Sequence, residues 1–191
     1  DEAVRLISES KRPYIYIGGG AAGLGMGKDI IDLANKIDAS IGCTFMGLSA
    51  VPDGCDKFLG MQGMHGHFAS SMSMHNADVI LSLGVRFNDR VTGNRTKFAT
   101  GAKIVHVDVD GSELNKTVNS VCGLRGDVKL TLQKLLPLVD EVTNPEWMAK
   151  VNAFREEEEN YLDNREGLTP RRAILTLNKY LGDNTAVCTD V

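Results

Sequence analysis

The sequence predicts an α/β fold: three layers, α/β/α, around a doubly wound and mostly parallel sheet of Rossmann-like type, spanning about residues 1–140 of 191. Two observations carry this. Short, near-continuous apolar runs alternate with segments of helical periodicity, the order that joins parallel strands through crossover helices. Several runs also end on glycine or a polar residue, and an open parallel sheet presents its ligand crevice at those ends.

From Pro13, Tyr14-Ile15-Tyr16-Ile17 is a strand that stops in a tight turn at Gly18-Gly19-Gly20. Ile30, Ile31, Leu33, Ala34 and Ile37 recur at helical spacing, and Ala39 to Thr44 form a second strand, completing a βαβ unit. Val79 to Leu83, closed by Gly84, and Lys103 to Asp108 are the third and fourth strands, with a fifth at 121–124. Helical patterns lie at 65–77, 111–117 and 127–139, the last carrying Val128, Leu130, Leu132, Leu135 and Leu136. Crossovers between these strands are right-handed by chirality.

After Pro137 the pattern becomes polar, and residues 141–168 are predicted as a helical linker. Its Glu156-Glu157-Glu158-Glu159 run reads as a solvated helix face, because adjacent helical residues point in different directions and cannot converge on a metal. Thr169 is an N-cap with Pro170 at the first helical position, and Ile174, Leu177 and Leu181 form that helix's apolar face. Thr185 to Thr189 reads as the first strand of a new α/β unit, so 169–191 is expected to be the start of a further domain. The first residue is not Met, consistent with a piece of a longer protein.

Composition limits the partners. Hydrophobic residues are 42% and charged residues 24%, as in an ordinary globular chain, which argues against disorder and collagen-like repeats. Lys and Arg number 21 against 25 Asp and Glu, a net charge of -4 with no cation excess for nucleic acid or an anionic membrane. No apolar run approaches the ~20 residues that span a bilayer. Cys43, Cys55, Cys122 and Cys188 form no CxxC pair or close framework, which fits a reducing, cytoplasmic compartment.

The chemistry concentrates at the strand ends. Gly18-Gly19-Gly20-Ala21-Ala22-Gly23 satisfies G-x-G-x-x-G directly after a strand, a pyrophosphate-binding context. The dehydrogenase version also needs an acid at the end of strand two; Cys43-Thr44-Phe45 stands there instead, and Asp108 is the better ribose candidate. Between Gly84 and Gly93, Arg86 and Arg90 offer planar donor forks for phosphate, with Asp89 beside them. Leu59 to His67 mixes glycine with methionine and histidine, and five of the seven methionines (Met46, Met61, Met64, Met72 and Met74) lie in this central region, where soft side chains can line a flat aromatic ligand or simply pack. His65, His67 and His75 lack supporting carboxylates or cysteines, so no metal site is expected. From the residues alone an independent NAD-dependent oxidoreductase and a non-enzymatic assembly module both remain open.

Taken together, Gly18-Gly19-Gly20, Thr44-Phe45-Met46-Gly47, Leu59 through Gly66, Ala77-Asp78, Gly84 through Gly93 and His106-Val107-Asp108-Val109-Asp110 resemble the central domain of the acetolactate synthase (acetohydroxyacid synthase) large subunits, thiamine-diphosphate enzymes, over nearly all of residues 1–135. The strings Gly63-Met64-His65-Gly66 and Arg86 to Gly93 are the most specific. The resemblance implies an FAD-binding domain whose flavin is structural and does not turn over. It puts Gly18, Gly19 and Gly20 at the pyrophosphate and ribitol, and Thr44, Phe45 and Met46 along the cofactor. Gln62, Gly63, Met64 and His65 would pack near the flavin, with Gly84, Val85, Arg86, Asn88, Arg90 and Val91 along the phosphates and ring. Asp108, Val109, Asp127 and Val128 would hold the adenosine end, and Met64 and Asp89 would border the substrate channel. Asn88 departs from the family, which has aspartate there, and this bears on one flavin contact.

The resemblance further implies a parent that decarboxylates pyruvate with thiamine diphosphate and Mg2+ and joins it to a second 2-oxo acid, giving acetolactate or acetohydroxybutyrate for branched-chain amino acid biosynthesis. That parent would be a bacterial, cytoplasmic homodimer or tetramer with a regulatory small subunit. No catalytic residue or metal ligand is implied within these 191 residues, which are expected to be inactive alone.

Overall fold

The computed structural model describes residues 1–52 and 54–188. These residues divide into two compact units, Asp1–Glu158 and Glu159–Val191. The first unit carries helix α1 (Glu2–Glu9), strand β1 (Pro13–Ile17), α2 (Gly27–Lys36), β2 (Ser40–Cys43), a 3-10 turn (Phe45–Ala50), β3 (Phe58–Met61), α3 (Phe68–Asn76) and β4 (Val79–Leu83). It continues through α4 (Asp89–Thr92), β5 (Lys103–Asp108), β6 (Cys122–Arg125), α5 (Val128–Leu135) and most of α6 (Pro145–Asp163).

Six parallel strands form one sheet in the order β3-β2-β1-β4-β5-β6. The chain winds outward from β1 to β3 on one side and from β4 to β6 on the other, so the winding reverses between β1 and β4. That reversal opens a crevice at the carboxyl ends of these two strands. β1 is flanked on both edges, with Ile15 opposite Ile41 and Leu81.

Alternation along β1 assigns the two faces. Ile15 and Ile17 join Leu6, Ile7, Ile30, Leu33 and Leu132 in a core under α1, α2 and α5. Tyr14 and Tyr16 turn to the other face, against Met74 of α3 and Trp147 and Val151 of α6. Each fully buried aliphatic side chain contributes roughly 1.5–3 kcal/mol. The Tyr14 hydroxyl bonds the Ser70 hydroxyl at 2.8 Å. Gly42 makes room for that pair, since a Cβ there would overlap the Tyr14 hydroxyl and lie 2.5 Å from Ser70 Oγ. Burial raises both tyrosine phenols above their ordinary range.

The sheet has one strand more than the sequence pattern indicates. Phe58–Met61, inside the glycine- and methionine-rich stretch, pairs with β2 across a register shift. Residues 111–117, expected to be helical, form turns. Leu114 is the segment's lone large apolar residue, Asn115 has φ 58°, and Asn115 Oδ1 captures the Ser120 amide at 2.7 Å and its hydroxyl at 2.8 Å. Such side-chain bonds compete with helical ones.

The first half of α6 packs on the sheet. Trp147 is buried and donates its indole N–H to the Pro13 carbonyl at 3.1 Å, and Arg155 donates to the carbonyls of Asp56 and Phe58 at the edge strand β3. The glutamate run does not face water throughout: the Glu158 side chain is 16% exposed. Its two carboxylate oxygens accept from the amides of Phe68 and Ala69, each at 3.1 Å, at the start of α3, and one lies 3.0 Å from His67 Nδ1. A remote carboxylate thus fills the N-cap role that no local side chain fills there. Glu158→Ala is expected to cost about 1–2 kcal/mol in urea denaturation, and Glu158→Gln less, because the amide oxygen can still accept.

In the second unit, Thr169 accepts from the Arg172 amide at 3.2 Å and caps α7 (Pro170–Asn178), with Pro170 opening the helix. Ile174 and Leu177 are exposed. Thr185 to Cys188 form no strand, and the remainder of the strand expected there lies outside the described residues.

Candidate cofactor site

The loops leaving the strands are laced together by backbone hydrogen bonds. Gly18 N donates to Leu83 O at 2.9 Å, Gly84 N to Val107 O at 2.9 Å, and Gly126 N to Asp108 O at 2.9 Å. On the other side Thr44 N donates to Ile17 O at 2.8 Å, Gln62 N to Cys43 O at 2.9 Å, and Met64 N to Arg90 O at 2.9 Å. The residues singled out in the sequence therefore form one continuous rim.

At its centre two glycine loops touch backbone to backbone. A Cβ on Gly18 would overlap the Gly84 carbonyl and lie 2.8 Å from Val85 Cα. Gly84 sits at φ 62°, and a Cβ there would lie 2.6 Å from Gly20 Cα. Gly19 faces Met46, whose Cβ would be 3.0 Å from a Cβ on Gly19, and this brings the β2 loop against the β1 loop. Gly63, at φ 114°, lies against Arg90 O and Val91 Cα.

The rim is apolar and cationic at its surface. Phe45, Met46, Met64 and Val109 are 64–71% exposed, which is unusual for large apolar side chains unless a surface is to be covered. Arg86 and Arg90 are exposed, and neither forms a salt bridge among the described residues. Asp89 and His65 are exposed on the same loops.

Several predicted residues have their side chains occupied within the protein. Gln62 is buried, accepts from the Tyr16 hydroxyl at 3.3 Å and donates to Val91 O at 3.4 Å. Asn88 Oδ1 caps α4 by accepting from Val91 N at 3.2 Å, a role an aspartate carboxylate fills equally well. Asp127 caps α5 through Leu130 N at 2.9 Å, and Asp108 Oδ1 accepts from Asp110 N at 2.9 Å. Val85 and Val128 are buried. The glycine pattern is not followed at once by a helix: α2 begins at Gly27, after Gly23 and Gly25 at positive φ. The helix N-terminus is thus set back from Gly18–Gly20, unlike the dinucleotide fingerprint in which the third glycine opens the helix.

Sequence reasoning missed two supports, Tyr16 and His106. His106 is buried, packs edge-on to Phe87 with ring centroids 5.1 Å apart, and donates from Nε2 to Val85 O at 2.9 Å, fixing the loop after β4. Their signal was an alternating polar position in strands that otherwise read as continuously apolar. Burial, partly offset by the Val85 bond, lowers the His106 pKa. The unfolded value of about 6.5 then exceeds the folded one, so stability is full above about pH 6.5 and erodes as pH falls toward the folded value, by up to about 1.4 kcal/mol per unit. His106→Gln, which keeps a donor for Val85 O, is expected to shrink the difference in melting temperature between about pH 7.5 and about pH 5.5. Burial likewise pushes the Cys43 thiol at the end of β2 up to about 12, leaving it protonated and unreactive at neutral pH.

An all-parallel, doubly wound sheet with a glycine-walled switch point defines a Rossmann-like α/β domain. The chain belongs to the thiamine pyrophosphate enzyme central-domain family, which it matches over residues 1–135. It is 32% identical over 199 residues to the acetolactate synthase isozyme 3 large subunit of Escherichia coli, covering 99% of this chain and 34% of that protein. Chloroplastic acetolactate synthase 1 of Nicotiana tabacum is 34% identical over 100% of this chain and 29% of its own length. A probable acetolactate synthase large subunit of Methanococcus aeolicus is 31% identical, over 100% and 35%. The chain thus spans about a third of the length of these relatives.

Proposed function

We propose that residues 1 to about 140 hold FAD in a structural role within an acetolactate synthase large subunit, with 141–168 linking this domain to a thiamine-diphosphate domain that begins near 169. The observation that carries the proposal is the rim itself: a backbone-only cradle at Gly18–Gly20 and Gly84, exposed Phe45, Met46, Met64 and Val109, and Arg86 and Arg90 without carboxylate partners among the described residues. These features suit a ligand that is long, flat in part and doubly anionic, so the residues present fit FAD. Gly18, Gly19, Gly20, Gly84 and Arg86 would face its pyrophosphate and ribitol. Thr44, Phe45, Met46, Gly63, Met64, His65, Arg90 and Val91 would lie along the flavin, with Gln62 and Asn88 shaping that wall through their bonds to the Val91 backbone. Asp108, Val109 and the Asp127–Val128 turn would flank the adenosine.

In the parent, thiamine diphosphate with Mg2+ supplies decarboxylation of pyruvate and its joining to a second 2-oxo acid for branched-chain amino acid biosynthesis. The share of this chain is to order the cofactor and, at Met64 and Asp89, to border the approach to that chemistry. A homodimeric or tetrameric cytoplasmic parent with a regulatory small subunit completes the proposal. The 191 residues alone are expected to form no acetolactate from pyruvate.

Titration with FAD is expected to quench flavin fluorescence and raise the melting temperature, with Arg86→Met and Arg90→Met weakening binding by at least about tenfold each. An equal response to NAD would return the domain to the dehydrogenase class, and no response to either would overturn the FAD proposal.

A further inference from the structure

A cavity of about 210 Å3 lies between α3, α4 and the 93–102 loop. Its floor is deep: Gln62, Met74, Thr92 and Ala99 are each 8% exposed or less. His75, Asn94 and Lys97 stand exposed at its mouth, and none of the residues lining it is an aspartate or glutamate.

Four of the polar residues lining this space, Gln62, Ser71, Asn94 and Lys97, keep donor capacity. Gln62 Nε2 carries two hydrogens and uses one in a long 3.4 Å bond to Val91 O. The Ser71 hydroxyl accepts from Gly63 N at 3.5 Å and donates to no acceptor among the described residues. Asn94 Oδ1 is taken by the amide and hydroxyl of Thr96, at 3.1 and 2.8 Å, which leaves its Nδ2 hydrogens. Lys97 forms no salt bridge among the described residues. Met74, Val91 and Phe98 add apolar lining.

We propose that this cavity binds a small monocarboxylate, its charge met by Lys97 and the Gln62, Ser71 and Asn94 donors and its short aliphatic tail laid on Met74 and Phe98. Size and charge select the class. Drug-sized ligands occupy about 300–1,000 Å3, so this space excludes a dinucleotide. A single ammonium with neutral donors balances one carboxylate, whereas a phosphate dianion is typically held by more cations or by an arginine fork. The apolar wall favours a few carbons over an inorganic ion. The cavity shares Gln62 and Val91 with the proposed cofactor rim, but its own test needs no cofactor.

The test is a titration of the isotopically labelled 191-residue protein with sodium butanoate, followed by amide NMR, with butan-1-ol and inorganic phosphate in parallel. Saturable shifts are expected at the side-chain amides of Gln62 and Asn94 and the backbone amides of Thr92 and Lys97. Lys97→Met should weaken butanoate by at least about tenfold while leaving the melting temperature unchanged, and Ser71→Ala by a smaller factor. Absence of saturable shifts, an equal response to butan-1-ol, tighter binding of phosphate, or full affinity in Lys97→Met would each overturn the proposal.

Discussion

Gly18→Ala is expected to destabilise the protein by at least about 3 kcal/mol in urea denaturation and to remove FAD binding altogether. The added methyl has nowhere to go: it would overlap the Gly84 carbonyl and sit 2.6 Å from its carbon. Neither loop can retreat without cost, because Gly18 N is bonded to Leu83 O, Gly20 N to Gly84 O at 3.1 Å, and Gly84 N to Val107 O. Moving one loop therefore breaks ladder bonds among the three central strands, a backbone rearrangement at the upper end of single-substitution effects. Gly23→Ala is the matched control. A Cβ at Gly23 meets nothing within 4 Å, though its φ of 75° still penalises alanine, and a loss of about 1 kcal/mol is expected. Equal effects of the two substitutions would show that the contact between the glycine loops is not what organises the switch point.

Trp147→Ala is expected to cost about 3–5 kcal/mol, the range for deleting a buried aromatic side chain. Trp147 is 2% exposed and also loses its bond to Pro13 O, at the first residue of β1. Trp147→Phe is expected to recover most of the packing but not that bond, leaving a deficit of about 1–2 kcal/mol. Melting curves of the three proteins decide whether α6 is part of the folded unit, because a helix acting only as a tether would tolerate both changes within about 0.5 kcal/mol.

The parts of the fold legible in the sequence were those whose burial is two-sided. β1, β2, β4 and β5 are buried on both faces, and the glycine or polar residue at or just after each carboxyl end marked the crevice. β3 escaped because only Phe58, Leu59 and Met61 are apolar, Gly60 adopts φ 75°, and pairing with β2 tolerates a register shift; its formation depends on β2 and on Arg155 from α6. The turns at 110–117 show the reverse error, in which helix-compatible residues are diverted by Asp110 and Asn115 side chains. Glu158 was unreadable for a different reason: its partners, Phe68 and Ala69, are about ninety residues away and are brought to it only by the crossing of α6 over the sheet.

At the rim, positions chosen from the sequence do converge, since parallel strands place all their carboxyl ends together. The division of labour within them was not legible. Gln62 and Asn88 use their side chains to hold the loop and short helix around Val91, Asp127 caps α5, and Val128 belongs to the core, whereas Phe45, Met46, Met64 and Arg86 present theirs outward. Which side chain faces inward depends on local capping geometry and on Tyr16 and His106, buried supports on β1 and β5.

Amide hydrogen exchange with and without FAD tests the central claim most directly. Binding at the switch point is expected to slow exchange at Gly18–Gly20, Thr44–Met46, Gly63–His65, Arg86–Val91 and Val109, while the amino ends of the strands, at the other end of the sheet, and the end of α1 tied there by Ser10 and Asp78 remain unchanged. Protection confined to other segments, or none at saturating FAD, would contradict the assignment of this crevice as the cofactor site.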